Sequence, residues 1–180
     1  MNVTGIVLAA GAGRRFGGPK GLARCADGTP WVALAVRALQ DGGCDDVAVI
    51  VGAAADDIAR IVPTDARVVV AEDWALGVSA SLRAGLAAAS DADAVVVSTV
   101  DTPDASPLAV ARVLASGAEL VQAVYRGTPG HPVVISRAHF APLAAAVSGD
   151  RGARPYLVTH GVVEVECGDL SSGDDVDAPD

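Results

Sequence analysis

The sequence predicts an α/β fold, a three-layer sandwich in which helices cover both faces of a mainly parallel, mixed sheet. Three observations predict it. Short β-branched runs alternate along the chain with helical patterns. Those runs are continuously apolar rather than alternating, as in strands buried on both sides. The hydrophobic fraction is 51% while aromatic residues supply only 3%, so Val, Ala, Leu and Ile must build the core by close backbone packing, which suits helices laid on a sheet.

Each element follows in order. "GIVLA" (5–9) reads as the first strand. "TPWVALAVRALQDGG" (29–43) reads as a helix with Thr29 as N-cap, Pro30 in the first helical position, and Gly42 or Gly43 as the stop. "VAVIVG" (47–52) and "RVVVA" (67–71) are the next strands, "VSASLRAGLAAAS" (78–90) a strong helix, and "AVVVS" (94–98) the fourth strand. "SPLAVARVLASG" (106–117) repeats the Ser-Pro start and Gly stop of a helix. After it come the apolar run "AELVQAV" (118–124), "HPVVIS" (131–136) and a helix around 137–147. The order β-α-β-α-β-α-β with later additions implies right-handed crossovers and a Rossmann-like sheet. Its ligand crevice belongs at the carboxyl ends of the strands.

At 180 residues the chain is expected to form one domain, 1–180. A net charge of −9 argues against broad attraction to nucleic acid or an anionic membrane, while leaving room for a local basic pocket. The three cysteines, Cys25, Cys44 and Cys167, form no CxxC pair, which argues against a disulfide framework or structural zinc. No stretch has the layout of a secretory leader, and no apolar run reaches the roughly 18 residues of a spanning helix. A soluble, cytoplasmic protein is expected.

The chemistry concentrates after the first strand, in "VTGIVLAAGAGRRFGGPKGLA" (3–23). A strand emptying into glycines is either a flexible turn or a place where a phosphate approaches free backbone N–H groups. The dinucleotide pattern G-x-G-x-x-G fails, because Phe16 stands where the third glycine belongs. The Walker pattern fails as well: Pro19 separates Gly18 from Lys20, and Gly21 replaces the Ser or Thr. What remains is a longer basic loop in which Arg14, Arg15 and Lys20, the single lysine of the chain, neutralise a triphosphate while the glycines admit it. A compact ammonium suits the charge that develops on phosphoryl oxygens and a leaving pyrophosphate.

Asp101, in "STVDTPDASP" (98–107), directly follows the fourth strand and is either a turn residue or a metal ligand pointing into the crevice. The acidic end "SSGDDVDAPD" (171–180) reads, taken alone, as a solvated terminus. Ser79 and Ser81 open a helix and are candidates for capping or for ligand contact.

The run "LAAGAGRRFGGPK" (8–20) resembles the signature of the MobA/MocA-like nucleotidyltransferases, approximately L-A-A/G-G-x-x-x-R-x-G-x-x-K. The resemblance implies a nucleotide-diphospho-sugar transferase-like fold. It implies that Leu8, Ala9, Ala10 and Gly11 contact base and sugar, that the loop containing Gly13, Arg14, Arg15 and Gly17 wraps the phosphates, and that Lys20 acts at the transferred phosphoryl group. Asp101 matches the aspartate of the family's G-D-Q-P motif, with Val100 and Thr102 departing from Gly and Gln. Asp177, in "DDVDAPD", matches the D-I-D-T-P-E-D ending, with Ala178 in place of Thr. Together Asp101 and Asp177 are the implied Mg²⁺ ligands, and Lys20, Arg14 and Asp101 the implied catalytic residues. "EDWALGVSASLRAGL" (72–86) resembles the D-W-x-x-G-x-S-x-S-L segment and places Ser79 and Ser81 beside the nucleotide. "YRGTPGHPVVIS" (125–136) and "GDRGARPYL" (149–157) resemble the MocA-like G-x-x-G-H-P-V and G-D-x-G-A-R elements. They mark His131, in what reads as an exposed turn, and Asp150, Arg151 and Arg154 as acceptor-binding candidates.

The implied reaction is Mg²⁺-dependent transfer of a nucleoside monophosphate from a triphosphate, CTP favoured over GTP, to a phosphorylated acceptor of which molybdopterin leads. Pyrophosphate leaves. Two alternatives stand beside it: a MocA-like oxidoreductase using NAD(P)H or flavin, and a nucleotide- or cofactor-binding module without catalysis.

Overall fold

Strand β1 (Val3–Ala9) lies inside the sheet because its side chains are apolar in both directions. Val3, Val7 and Ala9 face one core, and Ile6 faces the other. In the computed structural model, which describes residues 1–177, β1 pairs in parallel with β2 (Asp46–Val51) and β4 (Ala94–Thr99). The described residues form one seven-stranded sheet of order β3-β2-β1-β4-β6-β5-β7, with β3 at Arg67–Val70, β5 at Leu120–Tyr125, β6 at Thr128–Ser136 and β7 at Val163–Glu166. Only β6 runs antiparallel to its neighbours. The mixed, mainly parallel sheet expected from the sequence is therefore present.

Helices α1 (Trp31–Asp41), α2 (Ala55–Ala59) and α4 (Pro107–Ala115) cover one face, where Val32, Val36, Leu39, Ile58 and Val110 meet the sheet. Helices α3 (Val78–Ala88), α5 (Phe140–Ala146) and α6 (Arg154–Thr159) cover the other with Leu82, Leu86, Leu143 and Leu157. Apolar burial on both faces at roughly 25 cal/mol per Å² drives this layering. Among the described residues no helix is long and apolar enough to cross a membrane. The three cysteines are free, and burial pushes the Cys44 thiol up to about 12.

Three local expectations are corrected. The run at 67–71 is not covered on both sides: β3 is an edge strand with Val68 and Val70 exposed, because the five-residue α2 is too short to extend over it. Pro30, not Thr29, is the N-cap of α1. Thr29 and Pro30 are held extended by an Arg24–Pro30 bridge, by the Cys25 N–H donated to the Thr29 carbonyl, and by the Thr29 N–H donated to Asp27 Oδ1. His131 is not in an exposed turn. Arg126 and Gly127 both have positive φ and close a two-residue hairpin, so the chain enters β6 at Thr128 and carries His131 inside a partly buried strand.

Candidate active site

The carboxyl ends of β1 and β4 open into a cleft of about 610 Å³. Its floor begins with Leu8, Ala9 and Ala10 and continues into Gly11, Gly13, Arg14 and Arg15. The glycines give the loop its shape. Gly13 has φ +58°, and its carbonyl accepts the N–H groups of Gly17 and Gly18 at 3.0 and 3.1 Å. A Cβ at Gly13 would sit 1.8 Å from the Gly18 oxygen, so the closed loop requires glycine there. At Gly11 a Cβ would meet nothing within 4 Å: that space belongs to the cleft. Arg14 and Arg15 are exposed on the rim and form no ion pair among the described residues. Gly17 shapes the loop from outside and is not part of the cleft wall.

Lys20 begins a single 3₁₀ turn, Lys20–Leu22, that packs on α2 because Gly21 has no Cβ; one would lie 2.6 Å from Ile58 Cδ1. The ammonium is 3.1 Å from Asp101 Oδ2 and 3.1 Å from Asp177 Oδ1, and 5.9 Å above the Phe16 ring. Two aspartates 76 positions apart thus share one lysine. The tail reaches this point along the loop after β4. The Val176 N–H donates to the Asp101 carbonyl at 2.9 Å, and the Ser172 N–H donates to Asp104 Oδ2 at 2.9 Å. Gly173, φ +70°, lets the tail cross the Tyr125 ring, which a Cβ would strike at 2.2 Å.

Charge is balanced tightly here. Burial works against the Lys20 ammonium, but hydrogen bonds and attraction from Asp101 and Asp177 outweigh it and raise its pKa. The Lys20 hydrogen bond and charge, with a smaller contribution from Arg15, hold the Asp177 carboxyl below its ordinary value. Asp175, which accepts a hydrogen bond from Thr102 Oγ1 at 3.3 Å, is pushed upward by burial and by the neighbouring Asp101 charge.

The far wall is Trp74, Gly77, Val78, Ser81 and Asp150. Gly52 makes room for Trp74, since a Cβ there would lie 2.4 Å from the indole. Gly77, φ +109°, lets the start of α3 press against the loop 149–150, and the Ser79 N–H donates to the Gly149 carbonyl at 3.1 Å. Ser79 itself is fully buried and lines neither this cleft nor the chamber beside it, so of the two serines Ser81 faces the cleft. Asp150 faces this cleft as well, while Arg151 is exposed and lines neither cavity.

A smaller chamber of about 180 Å³ shares Leu8, Val78 and Thr99 with the cleft and contains His131 and Arg154. Arg154 is already engaged: it donates to Gln122 Oε1 and to Glu164 Oε1, the latter at 2.9 Å. The structure therefore brings Lys20, Arg14, Arg15, Asp101, Asp177, Ser81 and Asp150 to one cleft, and His131 with Arg154 to the adjoining chamber.

The model of the MobA-like NTP transferase domain matches residues 5–164. The chain belongs to that family. Nicotine blue oxidoreductase from Paenarthrobacter nicotinovorans is 38% identical over 188 residues, covering 97% of this chain and 92% of that protein. Molybdenum cofactor guanylyltransferase from Burkholderia vietnamiensis is 36% identical over 180 residues, covering 92% and 86%. The crystal structure of Rv0371c from Mycobacterium tuberculosis is 30% identical with a TM-score of 0.85, covering 99% of this chain and 93% of that one. A second structure, Rv0371c in complex with manganese, is 27% identical with a TM-score of 0.80, covering 98% and 94%.

The residues of this MobA-like domain fit a divalent cation. Asp101 Oδ1 is buried without a hydrogen-bond partner, an acceptor that costs free energy unless something satisfies it. Among the described residues no group of three or more His, Cys, Asp or Glu converges, so protein would supply two carboxylates and the remainder would be phosphate oxygen and water. That donor set suits a hard, oxygen-seeking ion.

Several residues in and around the site escaped the sequence reading. Phe16 and Thr99 carry no motif signal. Asp175 sits two positions before Asp177, and only the fold separates their environments. Gln122 had a usable signal, since it is the single amide in the apolar run 118–124.

Proposed function

We propose that this protein is a Mg²⁺-dependent nucleotidyltransferase that moves a nucleoside monophosphate from a triphosphate to a phosphorylated small-molecule acceptor. The observation that carries the reading is Lys20, held by Asp101 and Asp177 at the end of a glycine-closed basic loop. In this reading the backbone of Leu8–Gly11 receives base and sugar, and the resemblance of the Leu8–Gly11 run and of the Gly130–Val133 element to the family's MocA-like branch favours CTP over GTP. Arg14 and Arg15 lie over the outer phosphates, with Gly13, Gly17 and Ser81 shaping or lining their path. An acceptor phosphate oxygen attacks the α-phosphorus in line, the bond to the bridging oxygen breaks, and pyrophosphate leaves. The attacking oxygen is already ionised, so no proton is moved. Lys20 follows the charge onto the α-phosphate and the leaving group, where positioning and electrostatics supply the acceleration. A Mg²⁺ held by Asp101 and Asp177 would supply further charge neutralisation on the phosphates. Asp150 and His131 face the acceptor side, Arg154 braces it through Gln122 and Glu164, and the exposed Arg151, next to Asp150 in sequence, is proposed to meet the acceptor from solvent.

Molybdopterin is the proposed acceptor, the compartment is the cytoplasm, and neither nucleic acid nor membrane is a partner. The test is a pyrophosphate-release screen of four triphosphates with Mg²⁺ against molybdopterin and a panel of small phosphomonoesters. Release requiring triphosphate, acceptor and metal together is the expected result. The 38% identity to nicotine blue oxidoreductase favours a second reading, reduction of a small substrate by NAD(P)H or flavin. Cofactor oxidation without pyrophosphate release would establish that reading. Nucleotide binding without either turnover would leave a binding module.

A further inference from the structure

We propose that the small chamber behind the cleft is a subsite for an uncharged, ring-sized part of the acceptor. The proposal rests on the transferase reading for the word acceptor alone.

The chamber is walled by aliphatic side chains of β4, β6 and α6, among them Val97, Val133, Ile135 and Leu157. An apolar protein cavity of about 150 Å³ holds a benzene ring, so the space of about 180 Å³ admits one ring or a compact fused pair. The shared walls Leu8, Val78 and Thr99 set a group in the chamber directly beside the cleft. An acceptor anchored there by its ring would project its reactive phosphate toward the triphosphate.

Charge decides what enters. Arg154 is the single cation on the chamber wall, and Glu164 and Gln122 already occupy its guanidinium. Gln122 Nε2 is donated to the Gly130 carbonyl at 3.2 Å, which fixes the amide. An anion entering the chamber would find no free positive charge, and burying it there is costly. The group left without a partner is His131: among the described residues neither ring nitrogen makes a hydrogen bond, although its backbone carbonyl accepts Tyr125 Oη–H at 2.6 Å. Burial depresses the imidazole's pKa against the pull of Asp101, which keeps it neutral. A neutral imidazole offers one donor and one acceptor. The matching ligand is a neutral heterocycle with an amide-like edge, its apolar faces against Val133 and Leu157.

The probe is quinazolin-4-one, a neutral fused pair of rings with an amide edge, titrated into methyl-labelled protein and followed by NMR. We expect the methyl signals of Val133, Ile135 and Leu157 to shift, and the 2-carboxylate of the same ring to bind at least tenfold more weakly. Saturating CTP with Mg²⁺ should not displace the ring. Leu157→Trp, which fills the chamber, should weaken ring binding at least tenfold and leave CTP affinity unchanged; the wild-type methyl shifts decide the matter if that variant does not fold. Shifts confined to the cleft, displacement by CTP, or equal binding of the carboxylate would overturn the subsite. Pyrophosphate release with a ring-free phosphomonoester reports separately on the transferase reading. Release without ring binding removes the chamber proposal alone, and ring binding without release under any condition removes its assignment to an acceptor.

Discussion

Replacing Lys20 by Ala should move metal affinity and turnover in opposite directions. In the protein without nucleotide, the ammonium occupies the space between Asp101 and Asp177 at 3.1 Å from each, so a divalent cation reaching both carboxylates must first displace it. Exposed ion pairs are worth about 0.2–1 kcal/mol. The pair with Asp101 belongs near the top of that range, because the two side chains are only 16% and 24% exposed. The pair with Asp177, which is 69% exposed, is screened by solvent and is left out of the estimate. The Asp101 pair alone, about 1 kcal/mol, corresponds to roughly fivefold tighter binding in the variant. Mn²⁺ titrated into nucleotide-free protein and read by its electron paramagnetic resonance signal measures this directly. Over the same change turnover should fall at least tenfold, about 1.4 kcal/mol in the barrier. Unchanged or weaker Mn²⁺ binding in Lys20→Ala would show that the lysine does not compete for the metal position and refute the reasoning. A residue with only a packing role would not tighten metal binding while slowing the reaction.

Three further outcomes are expected. Asp101→Ala should abolish measurable Mn²⁺ binding and cut turnover at least tenfold while the thermal midpoint stays within a few degrees; near-normal activity would remove Asp101 from the mechanism. Gly13→Ala forces a left-handed φ on a residue with a Cβ, at about 1–2 kcal/mol, and drives that Cβ into the Gly18 carbonyl. It should lower the urea midpoint and weaken CTP binding at least tenfold by calorimetry, and intact CTP affinity would show that the closed loop is not the phosphate cradle. The depressed pKa of His131 means that the unfolded chain binds the proton more readily, so its contribution to stability is full above the ordinary histidine value of 6.5 and is lost as pH falls toward the folded-state value. Urea midpoints measured from pH 7.5 to 5 should therefore decline more steeply in wild type than in His131→Gln, and parallel slopes would contradict the buried, neutral imidazole.

Much of the fold could be read from local pattern. Val3, Ile6 and Val7 in β1, and the continuous valines of β4, announce strands buried on both faces. Gly11, Gly13 and Lys20 stand out in the sequence through the resemblance of 8–20 to the family signature, since both standard spacing patterns fail there. Pairing across long distances left weaker traces. The run 67–71 looks like a central strand, and only its place at the sheet edge, beside a five-residue helix, exposes Val68 and Val70. Strand β7 and helix α6 are short, four and six residues, and gain their stability from neighbours rather than from propensity. The candidate site divides in the same way. Asp101 follows its strand directly, whereas Asp177 reaches Lys20 because the Val176 N–H and Ser172 N–H tie the tail to the loop after β4. His131 was recognisable by its motif, but its partial burial depends on the hairpin at Arg126–Gly127, and the chamber it faces is enclosed by residues from six separate segments.

The central claim is that this cleft cleaves a triphosphate at its α-phosphorus and keeps the nucleoside monophosphate for transfer. CTP labelled at the α-phosphate, incubated with Mg²⁺ and molybdopterin, tests it most directly. The label should appear in an acceptor product heavier by one cytidylate, in step with the pyrophosphate released, and should not do so with Asp101→Ala. Label that stays in CTP, with GTP and the other triphosphates equally inert, would contradict the account.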